Sequence, residues 1–144
     1  MIKQIFEDGF SLLEVLIVLV IGVTIVLFTT VNIEGFRRSS FVADSAREII
    51  TTLEAAKSKT TSGEGGIAYK VHFTADSFSL MKADGSVLVK TQIDQSLEIV
   101  PPTSDIVYSQ ISGNSNGGTI IVRHKSGSPS KTITVLASGI INQQ

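Results

Sequence analysis

Glu14 is the residue whose type and place ask for chemistry. It sits in "GFSLLEVLIVLVIGVTIVLF", where Leu12 to Phe28 is otherwise apolar except for Thr24. An ionised carboxylate in hydrocarbon costs roughly 2.5–3.5 kcal/mol at mid-bilayer, so an intramembrane acid implies a function and a partner charge. The rest of the chain is poor in reactive groups. There is no Cys, which removes thiolate nucleophiles, thiolate metal ligands and disulfides. His72 and His124 stand 52 residues apart, with no paired acid at ligand spacing, so no metal site and no cofactor are expected. No nucleophile elbow, P-loop or glycine fingerprint is present, and an enzyme is not expected.

The elements that place Glu14 follow from hydrophobic periodicity. Leu12–Phe28 is 17 residues, about 26 Å as a helix, and needs extension to Val31 or Ile33 to cross a core of about 30 Å. The run exceeds the usual apolar region of a secretory signal and is followed by no small-x-small cleavage pattern, so a retained helix is expected. Beyond it, Val42, Ala46, Ile49, Ile50, Leu53 and Ala56 recur at helical spacing and form one apolar stripe. Lys57 and Lys59 suit the last turn of that helix, where the dipole favours cations. "SGEGG", Ser62–Gly66, then ends it.

After Gly66 the period becomes 2. Ile67, Tyr69, Val71 and Phe73 alternate with more polar residues as a half-buried strand, and Asp84–Gly85 marks a hairpin inside "FSLMKADGSVLVK". "SLEIVPP" reads as a strand stopped by prolines. A final hairpin is expected with strands Thr119–His124 and Lys131–Leu136. The fold class is therefore α+β: a long N-terminal helix, half membrane and half amphipathic, packed against an antiparallel sheet head. Tyr69, Phe73, Phe78 and Tyr108 are expected in the core. From Arg37 onward the chain holds 11 of 12 Lys+Arg and 9 of 13 Asp+Glu. With so slight an excess of cations, nucleic acid is not an expected partner.

The "GFSLLEVLIVLVI" stretch resembles the prepilin signature of type IV pilins and type II secretion pseudopilins: a glycine, an aromatic residue, an acid at the fifth position from that residue, and a long apolar helix. The resemblance implies that a prepilin peptidase cuts between Gly9 and Phe10 and that the new amine of Phe10 is methylated. It also implies that Glu14 pairs with a Phe10 amine, its own or a neighbour's, during assembly. The leader holds Lys3 and places Glu7 and Asp8 beside the cut, where family leaders are usually basic. "GNSNGGTIIVRHKSGSPSKTITVLASGII" is similar to the closing pattern of the GspH/FimT group of minor pilins, through Gly117, Gly118, Thr119 and Gly139. The basic residues that some FimT-like members set around the last glycine for DNA are replaced here by Ser138, Ile140 and Ile141.

These readings give three segments: a leader over 1–9, a transmembrane or filament-core helix over 10–36, and a periplasmic or extracellular head over 37–144, with its helix at 37–60 and its sheet at 67–144. The expected localisation is a single-pass inner-membrane protein, N-terminus in the cytoplasm and head outside, that enters a pilus or pseudopilus. The expected partners are other pilin or pseudopilin subunits, the prepilin peptidase, the inner-membrane assembly platform and membrane lipid. The leading function is a minor pilin or pseudopilin. The alternatives are a FimT-like DNA-uptake subunit at a pilus tip, which needs an exposed basic patch such as Arg123, Lys125 and Lys131, and a bitopic membrane protein that never assembles.

Overall fold

The computed structural model describes residues 11–144, apart from the side chains of 28–32. Helix α1 runs Leu12–Thr61 and contributes to two compact units, Met1–Arg37 and Arg38–Gln144. Each behaves as its residue types dictate.

From Leu12 to Leu27 the helix is apolar on every side apart from Glu14 and Thr24. Its large apolar side chains between Leu12 and Leu27 are exposed, from 48% at Ile17 to 83% at Leu12. Thr24 adds no unsatisfied hydroxyl, because its Oγ1 donates to the Val20 carbonyl at 2.7 Å. Among the described residues no helix is long and apolar enough to cross a membrane. The spanning helix expected over 10–36 thus depends on positions outside the described side chains.

In the second unit α1 is amphipathic. Val42, Ala46, Ile49, Leu53 and Ala56 are fully buried, while Ile50 is only partly so. Thr60 completes the buried face. Its Oγ1 donates to the Ala56 carbonyl at 2.8 Å and accepts the Tyr69 N–H at 3.0 Å, so the end of the helix is tied to the start of the sheet. Gly63, at φ 71, stops the helix and leads into a 3-10 turn, Glu64–Gly66.

Eight strands follow. β1 (Tyr69–Phe73), β2 (Ser77–Lys82), β3 (Val87–Gln92) and β5 (Ile106–Val107) form one antiparallel sheet in the order β3-β2-β1-β5. The second sheet, β4-β6-β7-β8, uses β4 (Leu97–Val100), β6 (Gly118–His124), β7 (Ser130–Val135) and β8 (Ile141–Gln143). The single sheet expected from sequence is therefore two, because β4 pairs with β6 rather than with the preceding hairpin. Alternation places Tyr69, Val71 and Phe73 inward, and they share one core with the α1 stripe, Phe78, Tyr108 and the inward residues of the second sheet. Burial of each such side chain contributes about 1.5–3 kcal/mol. The Asp84–Gly85 turn forms as its sequence requires: Gly85 has φ 95, and the Ser86 N–H donates to Asp84 Oδ1 at 2.8 Å.

Candidate functional site

Glu14 falls in the first turn of α1, where its backbone N–H donates to the Ser11 carbonyl at 2.9 Å. A carboxylate there complements the helix dipole, and this one stands exposed among exposed apolar side chains. Gly9 and Phe10, the expected cleavage and methylation positions, lie outside the described residues, so no distance links Phe10 to Glu14.

Several of the head's charges stand in ion pairs. Arg123, expected to belong to a small basic tip, donates to Glu98 Oε2 from Nη2 at 3.0 Å and from Nε at 3.2 Å. Lys125 lines a polar surface hollow with Asp76 and Asp94. Hydrogen bonds from the Ser96 hydroxyl and N–H hold the Asp94 carboxyl below its ordinary range. Acids thus stand beside two of the three cations of the expected tip, while Lys131 lies on β7 opposite Val122 of β6. His72 lies apart from His124: its Nδ1 meets Asp105 Oδ1 at 2.7 Å, while Lys70 Nζ donates to Asp105 Oδ2 at 3.0 Å. Burial pushes the Asp105 carboxyl up, but the bonds to His72 and Lys70 outweigh it and hold the group below the usual carboxylate range. Among the described residues no three His, Cys, Asp or Glu side chains are grouped to hold a metal.

Sequence reasoning missed one built feature. Lys57, read as a dipole-favoured cation, donates from Nζ to the Gly139 carbonyl at 2.9 Å. Gly139 (φ 73) and Gly113 (φ 66) are both buried and in close approach under the Lys57 side chain. The loop Ser109–Asn114 and the turn between β7 and β8 are thereby clasped to the C-terminal end of α1. Ser115 joins them further, donating from N to the Ala137 carbonyl at 3.0 Å and from Oγ to the Leu136 carbonyl at 2.9 Å. The only sequence signal was Gly139 itself, matched to a family pattern without a reason.

A long N-terminal helix whose later half packs on antiparallel sheets is the pilin-like α+β arrangement. The chain is similar to the structure of the minor pseudopilin EpsH from the type 2 secretion system of Vibrio cholerae. The TM-score is 0.58 and the identity 14%, over 72% of this chain and 95% of that one. At that identity the similarity is one of fold. No family model and no curated protein matches the sequence.

Proposed function

We propose that this chain is a structural subunit, a minor pilin or pseudopilin of a type IV pilus or type II secretion filament. In this reading prepilin peptidase cuts between Gly9 and Phe10, the Phe10 amine is methylated, and the mature helix rests in the inner membrane before assembly. The observation that carries it is the pairing of Glu14 with its setting. One acid occupies the first turn of a helix whose apolar side chains stand exposed on every side. A helix of that kind requires burial by lipid or by other chains. The acid then needs a cation, and the Phe10 amine released by cleavage lies one turn away along the chain. Truncating one member of such a buried pair typically costs about 3–5 kcal/mol. The likeness in fold to a minor pseudopilin supports the same reading.

Mass spectrometry of the mature protein tests it. Loss of Met1–Gly9 with a methyl group on Phe10 is expected. An intact leader in cells with active prepilin peptidase overturns the proposal.

A further inference from the structure

Asn116 stands beside β5 in the place of a missing strand. One edge of β5 pairs with β1 through Lys70–Val107 and Val71–Ile106. On the other edge the Asn116 N–H donates to the Val107 carbonyl at 3.4 Å, and the Asn116 carboxamide supplies the rest. Its Oδ1 accepts the Val107 N–H at 3.0 Å. Its Nδ2 donates to the Asp105 carbonyl at 2.8 Å and to Ser104 Oγ at 3.1 Å. A carboxamide carries the donor and the acceptor of a peptide group, so it closes an edge that would otherwise stay open.

The same residue has a reactive neighbour. Of Asn32, Asn114, Asn116 and Asn142, Asn116 alone precedes a glycine. Gly117 has no Cβ to crowd its backbone nitrogen, which on losing its proton to hydroxide attacks Cγ of Asn116. The new N–Cγ bond closes a five-membered imide, the Cγ–Nδ2 bond breaks, and Nδ2 leaves as ammonia with a proton taken from water. A second water opens the imide at either carbonyl and gives aspartate or isoaspartate. Hydroxide is regenerated, so the balance is one water consumed and one ammonia released.

Both reacting groups are restrained in the folded head. The Gly117 N–H donates to Ser115 Oγ at 3.0 Å, and three hydrogen bonds hold the carboxamide against β5 and Ser104. Ring closure swings Cγ onto the Gly117 nitrogen and strips Nδ2 of both acceptors, so those bonds open first. Local opening costs less than global unfolding, and β5 is only two residues long. The product does not close again. Aspartate has no N–H for the Asp105 carbonyl and sets a carboxylate against it. Isoaspartate adds a backbone atom before Gly117, where a Cβ would already lie 3.2 Å from the Val135 carbonyl oxygen. We propose that Asn116 is a self-modification site, a lock on β5 that converts to aspartate or isoaspartate when this edge opens and then leaves it open. The reactants are this chain and water, so the proposal stands apart from the filament reading.

The test ages the full-length chain in detergent and in denaturant, in mildly alkaline heavy-oxygen water, and maps its peptides by mass spectrometry. Asn116 should convert in denaturant faster than Asn114, taking up heavy oxygen, and about tenfold or more slowly in the folded chain. Ser104→Ala removes one acceptor of Nδ2. It should speed conversion in the folded chain roughly two- to tenfold and leave the rate in denaturant unchanged. Asn116→Asp, the product, should exchange the Val107 amide about tenfold faster than the parent. Should that variant fail to fold, the same exchange is read on parent chain aged to partial conversion. An unreactive Asn116 in denaturant, equal rates in the folded and unfolded chains, or a parental rate in folded Ser104→Ala overturns the site. Parental exchange at Val107 in the converted chain overturns the lock.

Discussion

Gly139 approaches Gly113 so closely that a Cβ on Gly139 would drive into the Gly113 carbonyl oxygen. Gly139→Ala therefore adds a backbone clash to the left-handed strain of φ 73, about 2–5 kcal/mol together. At roughly 4–8 °C per kcal/mol for a domain of this size, the melting temperature should fall by about 10 °C or more. Gly127, at φ 93 with open space around its Cα, is the control: Gly127→Ala should show the conformational strain alone. Equal losses at the two positions would mean that the close approach contributes nothing.

Tyr108 is fully buried, and its hydroxyl has no hydrogen-bond partner among the described residues. Burial, with Glu54 nearby, pushes the phenol up to about 12. A raised value means the neutral form is favoured on folding, so this contribution is complete below the ordinary phenol value near 10 and is lost as pH rises through about 12. Tyr108→Phe should leave stability unchanged or raise it by up to about 1 kcal/mol. It should also flatten the alkaline decline, read by denaturant melts at several pH values. A loss of more than about 1 kcal/mol would reveal a partner for the hydroxyl.

Asp105 joins Lys70 and His72 of β1 to the start of β5. Its depressed value means its contribution is present above the unfolded carboxylate value of about 3.9 and is lost as pH falls through the folded one. Asp105→Asn should cost about 1 kcal/mol at neutral pH, and the variant and parent curves should converge in acid. Parallel curves down to pH 3 would place the acid sensitivity elsewhere.

Glu14 separates assembly from anchoring. If it pairs with the Phe10 amine, Glu14→Leu should be cleaved and membrane-bound yet depleted from sheared filaments by roughly a hundredfold or more, as a penalty of about 3–5 kcal/mol implies. In a lone anchor the same change removes a buried charge and should leave abundance unchanged. Quantitative blotting of filament and membrane fractions decides between the two.

The α1 stripe was readable because a 3.6 period needs only local sequence, and only Thr60 hid its place as a buried polar residue. The β1 alternation and the Asp84–Gly85 turn were readable for the same reason. The division into two sheets was not, since it depends on β4 finding β6 across more than twenty residues. β5, with two residues, is too short to show a period, and β8 reads "INQ", with no alternation to detect. Glu14 announced itself by violating its surroundings. Ile111, at φ 71, could not, because nothing in residue type marks an isoleucine for a positive φ. Lys57 gave its charge away but not its acceptor, which lies 82 residues on.

That separation also sets a timetable for biogenesis. A chain made N-terminus first at about 5–20 residues per second exposes Lys57 roughly 4–16 s before Gly139 exists to receive it. Closing so long a segment carries an entropy of about 4 kcal/mol by the logarithmic loop law. The clasp therefore forms after the sheets have gathered the chain, as a finishing contact rather than a nucleus. Before the sheets gather, the face from Val42 to Thr60, buried in the finished head, stands open to water in the growing chain.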